Sequence, residues 1–98
     1  MTISEQEFLE RARLDRKTLT VWIEEEWLIP SHAAAELTFT EMDLARANLI
    51  RDLKQNMGVN DEGLSVILHL LDQMHGLRRA LADLMQSRRN RSAPGGGA

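Results

Sequence analysis

Between residues 67 and 84 the large apolar side chains keep a single beat. Ile67, Leu70, Met74, Leu77, Leu81 and Leu84 follow one another at intervals of 3, 4, 3, 4 and 3. That is the a/d pattern of a helix whose narrow seam faces another helix. Leu64, Leu68 and Leu71 add a second apolar face near the start, so that part is expected to be buried on two sides. Asn60 is a natural N-cap, and Asp61 and Glu62 sit at the positive end of the helix dipole. Running to about residue 88, such a helix is roughly 42 Å long at 1.5 Å per residue. The whole chain has 98 residues, enough for one small domain only about 26 Å across. The distal half of the helix therefore reaches past its own globule, and its seam needs a partner. A second copy, paired parallel or antiparallel, is the simplest one, because small domains often complete their core by dimerising.

Three shorter helices precede it. Ser4-Glu5-Gln6-Glu7 has capping-box form, and Phe8, Leu9 and Ala12 share a face, which predicts a helix over about 4–12. Asp15 caps a second helix to about residue 26, with Leu19, Trp22 and Ile23 inward, and Pro30 stops it. Residues 28–39 read as a loop or a short two-stranded wing, with a helical turn at 33–36 as the alternative. Thr40 caps a third helix to about residue 56, with Met42, Ala45, Leu49, Ile50 and Leu53 inward and Gly58 ending it. The expected organisation is a core over residues 1–58, a helix over 59–88 packed partly on that core, and a flexible tail over 89–98.

The second helix ends in an unusual charge. Glu24, Glu25 and Glu26 stand in a row where the helix dipole is already negative. The front of the chain shares that sign: residues 1–43 hold ten acids and four bases, a net of −6, while residues 44–98 hold eight bases and five acids. An acidic surface repels a polyanion and favours a basic partner. The absence of cysteine excludes a disulfide framework and a thiolate metal site. There is no signal peptide pattern at the N-terminus and no apolar run long enough to span a bilayer, so a cytoplasmic protein is expected. His69, Asp72 and His75 do not share one helix face, so no metal site is expected. No nucleophile–base pair, phosphate-binding glycine loop or zinc-protease motif is present. The chain reads as a non-enzyme without a cofactor.

Order and spacing carry a resemblance. A short helix, a helix running into Leu28-Ile29-Pro30, a wing-like link with Leu37-Thr38-Phe39-Thr40, a third helix and a long seam helix follow one another. With the stretch from Gly58 to Met74 (turn, acidic helix start, then aliphatic residues), this order resembles the MerR-like winged-helix group over about residues 2–86. Within it the chain is most similar to the CbpM-type chaperone modulators. The resemblance implies an all-α fold: a MerR-like winged helix-turn-helix core with a long C-terminal helix forming a dimeric coiled-coil contact. It also implies function by binding. Proteins of this type act as homodimers on the J-domain of a DnaJ-like co-chaperone (CbpA type), restraining its Hsp70 co-chaperone activity and its DNA binding.

A J-domain presents a basic helix, so the expected partner-binding residues are Thr20, Val21, Glu24, Glu25, Glu26 and Trp27, with Val21 and Trp27 as apolar anchors. The expected dimer contacts are Ile67, Leu70, Met74, Leu77, Leu81 and Leu84. The rival is a DNA-binding MerR-type transcriptional regulator. There the second helix typically offers an arginine to DNA, where this chain has Thr20, and the wing offers another, where it has Glu36-Leu37-Thr38-Phe39. Arg16 and Lys17 beside a carboxylate cluster would neutralise few phosphates, so direct nucleic-acid binding is not expected.

Overall fold

The computed structural model describes residues 2–91. In chain order the elements are β1 (Ile3–Ser4), α1 (Glu5–Ala12), α2 (Arg16–Glu24), β2 (Ser31–Ala33), β3 (Glu36–Phe39), α3 (Glu41–Gln55) and α4 (Asp61–Arg91). All four helices begin where a side chain satisfies a backbone N–H that the helix cannot. Ser4 Oγ accepts from Glu7 N at 3.2 Å, Asp15 Oδ1 from Thr18 N at 2.7 Å and Asn60 Oδ1 from Gly63 N at 2.7 Å. Thr40 and Asp43 close a reciprocal capping box at 3.1 and 2.9 Å.

The all-α expectation gives way to a mostly helical fold with a three-stranded antiparallel sheet in the order β1-β3-β2. Residues 31–39 form a hairpin in which Ser31 faces Thr38 and Ala33 faces Glu36, so the alternative helical turn at 33–36 is not formed. Its two-residue loop puts Ala34 at φ +58°. β1 was not expected. It brings Ile3 opposite Phe39, and Phe39 stacks on Phe8 with ring centroids 4.0 Å apart.

Two compact units divide the chain, one ending at Ser65 and the next starting at Val66, later than the expected break at 58/59. The first turn of α4 belongs to the first unit. Val59 N donates to the Leu53 carbonyl at 2.9 Å, Lys54 Nζ meets Asp61 at 2.6 Å, and Trp27 Nε1 donates to Ser65 Oγ at 2.9 Å. The core of this unit is built on Phe8, Leu19, Leu28, Phe39, Ile50 and Leu64, all fully buried.

α3 buries Leu44, Ala47, Ile50 and Leu53. The expected inward residues Met42, Ala45 and Leu49 are exposed, Met42 by 72%. Ile50 and Leu53, also expected inward, are buried, so the observed face is the expected one turned toward Leu44 and Ala47. Arg11 grips Glu41 with two bonds of 3.0 and 3.1 Å, and Arg51 donates to the Ala12 carbonyl. The bonds from Glu41, ahead of those from Glu7, raise the Arg11 pKa above its ordinary value.

In the second unit Leu68 is buried, Ile67 and Leu71 are half-buried and most of the following side chains are exposed. The helix continues through Arg91. Residues 89–91, expected as tail, are therefore helical, and the rest of the expected tail lies outside the described residues.

Candidate partner-binding site

α2 exposes one face. Lys17, Thr20, Val21 and Glu24, at helical spacing, all point outward, opposite the buried Leu19 and Trp22. Asp15 holds the start of this helix. Hydrogen bonds from the Thr18 side chain and backbone keep its carboxyl below the ordinary aspartate range. Arg16 is turned sideways to Glu5 at 3.0 Å, along an open polar cleft of about 420 Å³ also lined by Ser4, Gln6 and Glu36. Thr20 spends its hydroxyl on the Arg16 carbonyl at 2.9 Å.

The far end of α2 carries the acidic run. Glu24 is the last helical residue and Glu25 the C-cap. Glu26 follows with φ +62°. Its N–H reaches the Ile23 carbonyl at 3.0 Å, and Trp27 N–H reaches the Trp22 carbonyl at 2.9 Å. This is a Schellman ending with glutamate in the left-handed position that glycine usually fills. All three carboxylates are exposed. They lie at the negative end of the dipole, one of them on backbone that an L side chain adopts at a cost.

Trp27 leaves the set. It is only 2% exposed, with its indole N–H on Ser65, Lys54 Nζ 5.4 Å above its ring and Trp22 tilted beside it. Its carbonyl accepts from Arg46 Nε at 2.5 Å. A side chain enclosed in this way is core, so Trp27 is not an anchor. The apolar side chains left outside near the carboxylates are Val21, 44% exposed, and Ile29, 75% exposed. Ile29 was missed, although an isoleucine between Leu28 and Pro30, just past a helix stop, is the signal that could have found it. The structure thus brings Thr20, Val21 and Glu24 onto one helix face, continues it with Glu25 and Glu26, and removes Trp27.

Among the described residues no group of three or more histidine or carboxylate side chains could hold a metal ion. Among them too, no helix is long and apolar enough to cross a membrane.

The sequence model described as "MerR HTH family regulatory protein" matches residues 3–86. The chain belongs to this MerR family. No curated protein and no solved structure matches it. The MerR match takes in the whole acidic face of α2, the hairpin and the α4 seam. In this MerR-family chain the seam residues Leu70, Leu77, Leu81 and Leu84 are each more than half exposed, Met74 is 38% exposed and Ile67 is half-buried.

Proposed function

We propose that this MerR-family protein is a non-enzymatic, cytoplasmic modulator of a DnaJ-like co-chaperone of the CbpA type. It acts as a homodimer through the α4 seam. It binds the J-domain on the exposed face of α2, and so inhibits both Hsp70 co-chaperone activity and DNA binding by the co-chaperone. The observation that carries this reading is the end of α2: three exposed carboxylates held in an unfavourable dipole position, one of them on left-handed backbone. Local costs of this kind persist where a surface is selected for something other than stability. A basic amphipathic helix is the partner that matches it. The carboxylates steer the encounter and exclude wrong partners, and Val21 and Ile29 supply the desolvated contact that slows release.

The second reading, a DNA-binding MerR-type regulator, draws on the family description alone. The α2 face argues against it. Arg16 pairs with Glu5, Thr20 stands outward in mid-helix, and Glu24 follows one turn later. Such a face repels phosphates.

Calorimetric titration with the J-domain, run beside a gel shift on random duplex, separates the two. The modulator reading expects J-domain binding that a Glu24→Lys/Glu25→Lys variant loses while keeping its fold. Duplex retardation without J-domain binding would establish the regulator instead.

A further inference from the structure

We propose that Arg16 is a placeholder on the docking face: its guanidinium holds, on Glu5, the position that a cationic side chain of the partner helix takes on binding. This rests on the J-domain reading above and adds a second acidic pole to it. The pole is the polar cleft of about 420 Å³ at the start of α2. Ser4 lies opposite Thr38 in the sheet, which brings the start of α1 beside the strand that carries Glu36. Glu5 and Glu36 line the cleft together with Arg16, two carboxylates to one cation. Arg16, Thr20 and Glu24 recur at every fourth residue along one edge of α2. The cleft and the acidic run therefore stand about 12 Å apart at 1.5 Å per residue. Uncharged Thr20 and Val21 lie between them. A basic helix laid along α2 has the same rise, so it meets both poles with cations about eight residues apart.

Arg16 is the half of the pair that can move. Its side chain is 76% exposed and that of Glu5 is 30% exposed, so the carboxylate is the more sheltered partner. An ion pair this open to solvent contributes little, and exchanging its cation for another costs little. Arg16 also opens α2, whose first turn holds no acid. A cation there faces the positive end of the helix dipole, so the helix does not depend on it. Asp15 caps that end by accepting from Thr18 N, and this bond stays when the guanidinium leaves. The 3.0 Å contact with Glu5 already seats a guanidinium in the cleft. That is the chemistry a basic helix brings.

The test is calorimetric titration of the J-domain into the full chain as wild type, Arg16→Gln, Glu5→Gln, the double variant and Lys17→Gln, with folding checked by circular dichroism. Removing Arg16 leaves Glu5 open to the incoming cation, so Arg16→Gln is expected to bind roughly threefold tighter than wild type. Lys17→Gln removes the same charge from the same outward face and leaves the Arg16–Glu5 pair in place, so its gain should be smaller. Glu5→Gln is expected to bind as wild type does, because the pair it breaks and the pair it forgoes offset each other. In the Arg16→Gln background the same change should lose the gain, a coupling that two independent charges do not show. Additive effects of Arg16→Gln and Glu5→Gln, or a gain no larger than that of Lys17→Gln, overturn the placeholder and leave the J-domain reading standing. Wild-type protein that binds no J-domain removes both.

Discussion

Replacing Glu26 by glycine is expected to stabilise the protein and weaken the proposed docking surface together. At φ +62° the residue sits on left-handed backbone, which costs an L side chain roughly 1–2 kcal/mol and glycine nothing. The substitution also removes a carboxylate from the negative end of α2, worth about 0.3–1 kcal/mol at an exposed site. Against both stands the greater freedom of glycine in the unfolded chain, about 0.4–1 kcal/mol. The balance is a gain of about 1 kcal/mol, which in a domain of this size raises Tm by roughly 4–8 °C. Glu26→Gln divides the contributions, because it removes the charge and keeps the strained backbone; its gain should stop near the dipole term, about 0.3–1 kcal/mol. Urea and thermal unfolding, followed by circular dichroism and tryptophan fluorescence, measure all three proteins. If Glu26→Gly is no more stable than Glu26→Gln, the reasoning about left-handed strain is refuted. Titration of the same variants with the J-domain should show the stabilised protein binding more weakly.

The remaining predictions concern core, seam and cap. Trp27→Phe loses the indole bond to Ser65 Oγ and some volume, for about 1–2 kcal/mol by urea denaturation, and Trp27→Ala loses about 3–5 kcal/mol; J-domain affinity per folded molecule should stay unchanged, and its selective loss would return Trp27 to the docking face. Leu81→Arg is expected to halve the solution mass, and a surviving dimer would place the contact away from the α4 seam. Asp15 has a lowered pKa in the folded state, so its stabilising contribution is present above the ordinary aspartate value and fades as pH falls through the folded one. Asp15→Asn keeps a good N-cap, so stability near pH 7 should hold while the loss below about pH 4 becomes shallower; profiles that superimpose would contradict this.

Local chemistry made the helix starts legible. Ser4, Asp15, Thr40 and Asn60 each cap within three residues of themselves, and no distant contact is needed to infer them. The long helix α4 was equally plain, because the period of its apolar residues is internal to one helix. Long-range packing was not legible. Met42-Ala45-Leu49 and Leu44-Ala47 both continue the helical spacing of Ile50 and Leu53, and periodicity within α3 does not say which side meets the rest of the core. Trp27 is buried with its indole N–H on Ser65, 38 positions along the chain. β1, two residues long, exists only because β3 is beside it. Of the candidate site, the carboxylates were visible as residues, whereas the left-handed turn that sets Glu26 was not.

Two arginines of α3 donate to main-chain oxygens, Arg46 to the carbonyl of Trp27 and Arg51 to that of Ala12. Both side chains are part-buried, where dissolved ions screen little. The carboxylates of α2 stand in open water, where screening is strong. Ionic strength should therefore act on this molecule as a selective reagent: added salt weakens the attraction proposed for the end of α2 and leaves intact the two arginine bonds that hold the chain on either side of that helix. A titration in salt can then be read as a measurement of recognition by itself, at constant architecture.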